Sequence, residues 1–332
     1  VAASPEDELI QKHFAPLVGQ GALGLADDAA VLSLRPGEEL VVTKDMLVAG
    51  VHFFADDPPG SVAAKSLCVN LSDLAAKGAE PRGFLLGLGL PRTMDADARE
   101  TWLGAFAAGL RAASAAAACP LLGGDTVSSP GGIVVSITAM GAVPAGRMVR
   151  RTGARPGDVL LVSGSIGDAA LGLRLRLEPD AAWTRALGEE HRAYLLDRYL
   201  HPRPRNALAP LLLMHAHGAM DISDGLVGDC AKMLRVSGCA GRIAAENVPL
   251  SDAAHAAIAL APELLPIVLT GGDDYELLVS ASRVAADALI AGASRLGLPL
   301  TAIGEAHEGE SALGVNLNGE MMRFSTTAYS HV

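Results

Sequence analysis

The 332-residue sequence predicts a mixed α and β protein of two domains. Strand-like and helix-like stretches alternate from end to end, the pattern of a chain whose sheets are covered by helices. The length passes the size at which a single core usually stops growing. After Pro144 a polar, basic stretch rich in glycine and proline, RMVRRTGARPGD, interrupts the alternation. It sets the expected boundary between domains 1–146 and 147–332.

In chain order, Glu39–Thr43 reads as a strand and Ser61–Lys77 as a helix, ended by Gly78 as a left-handed cap and by Pro81. Arg82–Leu90 follows as a strand. Asp95–Ala118 is an alanine-rich helix with Trp102, Phe106 and Leu110 one turn apart, and its AASAAAA run is helix former, not linker. Gly132–Val143 is a strand. In the second half Asp158–Ser163 and Met220–Ser223 read as strands, and so does Ile267–Thr270, leading into a Gly-Gly turn. Leu208–His217, Asp224–Ser237 and Ser282–Leu296 read as helices.

Composition narrows the function. Half the residues are hydrophobic and 19% are charged, enough to bury a sizeable core. A net charge of -11 argues against general affinity for nucleic acid or acidic membranes. It leaves room for a phosphate substrate approached through metal ions. The longest apolar runs, such as Gly132–Val143, fall short of the about 18 residues of a membrane span. Val1–Asp7 shows no basic region leading into an apolar stretch, so no signal peptide is expected. Cys68, Cys119, Cys230 and Cys239 lack CxxC spacing and suit free thiols of a reducing cytoplasm.

The informative pattern is the placement of aspartates. Asp27-Asp28, Asp45, Asp125, Asp221 with Asp224, and Asp273-Asp274 stand beyond strands or in glycine turns, and Asp73 lies in a helix. Carboxylates meeting at one place repel unless cations sit between them, and oxygen ligands of this kind suit magnesium or calcium. Each aspartate also has a plainer reading. Asp28 can open a turn, and Asp45 can end its strand in solvent. Asp73 can face water with Ser66, Asn70 and Lys77. Gly123-Gly124-Asp125 has turn composition, and Asp224 stands where an N-cap belongs. The turn Ser163–Asp168 can cradle a phosphate or simply join strand to helix, and it matches no Walker A loop. His52 can bond a substrate or pack beside Phe53-Phe54.

Seven segments in order carry a resemblance. They are Asp27–Val31; Thr43–Val48 with His52-Phe53; Asn70–Pro81; Gly123–Thr126; Gly146-Arg147 with Arg151–Ala154; Asp221–Leu226; and Gly271–Leu277. Together they resemble the thiamine-monophosphate kinase family, within the aminoimidazole ribonucleotide synthetase-like superfamily. The resemblance implies two α/β domains, the first pairing with its counterpart in a homodimer through β-strands. It implies ATP and several magnesium ions in a cleft between domains, with thiamine monophosphate as acceptor. By motif match, Asp28, Thr43, Lys44, Asp45, Asp73, Asp125, Asp221 and Asp224 are the expected metal positions. Gly124, Asp125, Arg151 and Ser223 are expected on ATP, and His52, Asp273 and Tyr329 on thiamine monophosphate. Transfer is expected to be direct, without a catalytic side chain forming a covalent intermediate.

Three positions depart from the family pattern. Lys44 replaces a small hydroxyl residue, Asp273 replaces glutamate, and the chain closes Ala328-Tyr-Ser-His-Val332 where Gly-aromatic-x-His-Phe is usual. Rivals of the same superfamily fit less well. The first cysteine is Cys68, whereas selenophosphate synthetase carries a reactive Cys or selenocysteine near its N-terminus. The end Ser-His-Val lacks the cysteine of hydrogenase-maturation relatives. Asp45-Met-Leu-Val-Ala-Gly stands where aminoimidazole ribonucleotide synthetase has Asp-Gly-Val-Gly-Thr-Lys. A non-catalytic nucleotide- or metal-binding module is the rival from another class.

Overall fold

The computed structural model describes residues 8–325, 327 and 328. The chain divides into two compact units: the described residues up to Leu74 with Ala79–Gly146, and Ala75–Gly78 with Arg147 onward.

The first unit holds β1 (Glu38–Val48), α1 (Pro59–Ala76), β2 (Glu80–Pro91), α2 (Ala96–Ala116), β3 (Leu121–Ser129) and β4 (Val134–Pro144), α1 running at its end into the second unit. Its sheet has the order β1-β4-β2-β3; β4 is antiparallel to β1 and β2, and β3 is parallel to β2. Alternation along the strands gives the sheet two different faces. Val41, Leu47, Leu86, Leu88, Val135 and Ile137 are buried on one side. Leu40, Val42, Met46, Leu85 and Val127 are exposed on the other, at 46, 55, 50, 39 and 54%. The buried side carries α1, and α1 meets α2 where Gly60 and Gly109 touch; a Cβ on Gly109 would lie 2.2 Å from the Gly60 carbonyl oxygen. Asp95 caps α2 by accepting the Ala98 amide at 2.8 Å.

The second unit holds β5 (Val159–Ser163), α3 (Asp168–Leu177), α4 (Ala182–Ala186), α5 (Glu189–Leu200), α6 (Ala209–His215), β6 (Gly218–Ile222) and α7 (Leu226–Ser237). It continues with β7 (Ala240–Ala244), α8 (Asp252–Leu260), α9 (Leu264–Thr270), β8 (Glu276–Ala281), α10 (Arg283–Arg295), β9 (Leu300–His307), β10 (Leu313–Leu317) and β11 (Glu320–Met321). Its seven strands run β11-β10-β7-β9-β5-β8-β6. Every residue of β5, β6 and β8 is buried, as expected of strands covered on both faces. Leu160, Val162, Ile222 and Leu278 pack into one core with Leu226 and Met233 of α7; Val159, Leu161, Leu277 and Val279 pack into another with Leu289 of α10.

Three expectations change. Ile267–Thr270 belongs to helix α9, not to a strand; so short an apolar run carries no decisive period, and Pro266 sits in the first turn, where its missing N–H costs nothing. Gly123-Gly124-Asp125 lies inside β3, not in a turn. Gly124 is there because a Cβ would meet the Leu86 carbonyl oxygen at 2.0 Å, so close approach of two backbones requires it. Ser66 and Asn70 do not face water: both are buried. Among the described residues no helix is long and apolar enough to cross a membrane.

Candidate active site

On the buried face of the first sheet, β1 and α1 bring Thr43, Asp45 and Asp73 together. The Thr43 hydroxyl donates to Asp73 Oδ2 at 2.5 Å. The Asp45 amide donates to Asn70 Oδ1 at 3.1 Å, and the Asn70 side-chain amide is held by the Ser66 carbonyl oxygen at 3.0 Å. Burial, and secondly the nearby Asp73 carboxylate, raise Asp45 to about 6, with Lys44 opposing. Two crowded carboxylates beside a hydroxyl form an all-oxygen donor set, which a hard divalent cation would relieve. Lys44 points to the other face, where its ammonium donates to Ser136 Oγ. His52 accepts the Val48 amide on Nδ1 at 3.1 Å, so the neutral ring carries its proton on Nε2.

A second set lines a cavity of about 490 Å³ in the same unit. Asp27, Asp28, Gly124, Asp125 and Thr126 give it a polar side, and Phe14, Leu86 and Leu122 are among its apolar lining. Strand register separates this set from the first. Asp125 lies in the row Met46–Ser136–Gly87–Asp125, and Asp45 in the neighbouring row Asp45–Ile137–Leu86–Gly124. Neighbouring rows face opposite sides of a sheet. The aspartates are therefore not gathered at one point: among the described residues, no three of His, Cys, Asp or Glu are grouped to hold one metal ion.

A third set belongs to the second unit. Asp221 is buried near the end of β6, and Ser223 and Asp224 form the turn into α7. Gly225 has φ 121°, and a Cβ there would meet the Thr270 carbonyl oxygen at 2.3 Å. Asp224 does not cap α7, because its carboxylate pairs with Lys232 instead. Across from it, Asp273 has φ 73° and donates its amide to the Ser223 carbonyl oxygen at 2.9 Å. Gly272 permits that approach, since a Cβ would lie 2.2 Å from the same oxygen. Arg151 is exposed on a one-turn helix, Arg151–Gly153. Tyr329 lies outside the described residues.

The turn Ser163–Asp168 has an occupant of its own. The carboxylate of Asp274 accepts the Gly167 amide at 2.8 Å, and burial holds Asp274 well above the usual carboxylate range. An internal carboxylate thus already occupies the Gly167 amide of this turn. Burial raises the thiols of Cys68, Cys119 and Cys230 to about 12, which disfavours their thiolate forms.

Several supporting residues escape a reading of motifs. Asn70 holds Asp45, and its only signal is its place one turn before Asp73. Glu276 is buried and paired with Arg205 while accepting the Ser163 hydroxyl at 2.6 Å. Asp229 accepts the amides of Ser223 and Asp224. Their partners are distant in sequence or lie on the backbone, so spacing does not reveal them.

Known proteins match the sequence and fold along most of the chain. Residues 26–143 match the AIR synthase related protein N-terminal domain, and residues 155–315 match its C-terminal domain. A thiamine-monophosphate kinase of Caulobacter vibrioides is 44% identical over 316 residues, covering 93% of this chain and 86% of the relative. The crystal structure of thiamine-monophosphate kinase from Stenotrophomonas maltophilia aligns with a TM-score of 0.79 at 39% identity, covering 90% of this chain and 91% of that one. The structure of AaThiL complexed with AMPPCP and TMP aligns with a TM-score of 0.77 at 30% identity, covering 92% and 91%. The chain belongs to the thiamine-monophosphate kinase family of AIR synthase related proteins.

Proposed function

We propose that this protein transfers the γ-phosphoryl group of ATP directly to the phosphate of thiamine monophosphate, giving thiamine diphosphate. The observation that carries this reading is the match, over nine-tenths of the chain, to AaThiL complexed with AMPPCP and TMP. The acceptor phosphate is already ionised at neutral pH, so the reaction needs no strong general base. The obstacle is electrostatic, because one anion must approach another.

The residues present suit magnesium. Thr43, Asp45 and Asp73 would hold one ion, with Lys44 limited to its backbone carbonyl; Asp28 and Asp125, and separately Asp221 and Asp224, would serve as carboxylate ligands of further ions. Bound magnesium neutralises the phosphates and stabilises charge on the transferring group. Gly124, Arg151 and Ser223 contact ATP in this reading. His52 offers an Nε2 proton to the acceptor, Asp273 faces the thiamine moiety, and Tyr329 stacks on it. Their contribution is orientation, which lowers the barrier without a covalent step.

The exposed apolar face of the first sheet supports a homodimer. Leu40, Val42, Met46, Leu85 and Val127 form a surface on regular strands that a second copy would cover. A cytoplasmic setting fits the four unpaired thiols.

Labelling tests the direct mechanism. With γ-labelled ATP and thiamine monophosphate, the label should appear in thiamine diphosphate. Without the acceptor, the denatured protein should carry no covalent label; near-stoichiometric labelling of the protein would replace direct transfer by a phosphoenzyme route.

A further inference from the structure

We infer that Asp229 is a positioning residue that fixes the Ser223–Asp224 turn in its working geometry. Asp229 lies in the first turn of α7 and is 1% exposed. Its Oδ2 accepts the amides of both Ser223, at 3.0 Å, and Asp224, at 2.9 Å. Its Oδ1 accepts the Lys232 ammonium at 3.1 Å, and the same ammonium is bonded to the Asp224 carboxylate. Both oxygens are thereby committed, and the Asp224 side chain is tied back to the group that holds its own amide.

The Ser223 peptide is held from the other side as well, by the Asp273 amide on its carbonyl oxygen at 2.9 Å. A buried carboxylate reaching back over the start of a helix also serves as a cap, which makes stability alone a competing account. The geometry goes further than capping. The two amides belong to the residues before Gly225, outside the helix, and these residues carry the side chains read here as ATP and metal contacts. Charge-assisted bonds to backbone amides are short and directional, suited to holding a turn to within a fraction of an ångström. The inference rests on the assignment of Ser223 and Asp224 to ATP and its metal.

Two measurements test it. In the native protein, hydrogen exchange should find the Ser223 and Asp224 amides as protected as those of β6; exchange at the rate of an open turn overturns the inference without any variant. Asp229→Asn keeps the volume but places an amide where the carboxylate served two N–H groups and an ammonium. It should raise KM for ATP about 10-fold, leave KM for thiamine monophosphate within about twofold, and speed exchange across residues 221–225. Unchanged ATP saturation, or equal loss toward both substrates in step with a lower melting temperature, would reduce Asp229 to a helix cap. Ser223→Ala and Asp224→Asn separate the underlying assignment. If both bind ATP and metal like the native protein while their amides remain protected, the assignment is what fails, and the role of Asp229 falls with it.

Discussion

Asp45 shows most directly how a side chain's surroundings set its chemistry. Its carboxyl sits beside Asp73 in a partly buried place and is raised from 3.8 to about 6. A folded-state value above the unfolded one means that the folded protein holds this proton more tightly. The resulting stability is present below pH 3.8 and lost as pH rises through 6. In the metal-free protein Asp45→Asn should therefore gain on the native chain between pH 4 and pH 7.5, by roughly 1–3 kcal/mol. Urea unfolding in the presence of a chelator measures the gain, and a difference independent of pH would contradict the role given to burial. The sequence singles these residues out, because aspartates recur at the ends of elements in a family's order. Their division between two faces of one sheet was not, because it depends on the registers of β4 and β2.

At the scale of elements, periodicity and caps gave most helices and strands, and errors fell where a residue type has two uses. Glycine is the clearest case. Gly123-Gly124 has the composition of a turn, yet Gly124 allows β3 to lie against the Leu86 carbonyl oxygen. Gly124→Ala should destabilise the first unit by roughly 2–3 kcal/mol through forced displacement of β3. It should also lower activity, since Asp125 follows directly on the strand. The check is the urea midpoint of the variant, and an unchanged midpoint would show that β3 can move without cost. The strand expected at Ile267–Thr270 failed for the opposite reason: an apolar run of that length has no period to read, and the helix is settled by the cores around Leu264 and Leu269.

For the molecule as a whole, each unit buries one side of its own sheet, but only the second covers both sides of its central strands. The side of the first sheet that carries exposed Leu40, Val42, Met46, Leu85 and Val127 is the face the proposed homodimer would use. Val42→Glu puts a charge at the middle of that face, on a residue already 55% exposed. It should leave the fold of the isolated chain intact and shift sedimentation from dimer to monomer. Sedimentation identical to the native protein would remove this face from the assembly. The two-domain class was legible from the alternation of elements and from the basic, proline-containing stretch after Pro144. The order of strands within each sheet was not, because pairing between distant segments leaves no local mark on sequence.

The reaction itself is tested most directly by product formation by the purified protein with ATP, magnesium and thiamine monophosphate. The native protein should form one thiamine diphosphate per ADP released, and chelation of divalent metal should stop it. Asp125→Asn, nearly isosteric, should retain the fold and fall by roughly 100-fold in turnover. ADP release without thiamine diphosphate, or full turnover by Asp125→Asn at saturating magnesium, would contradict the account.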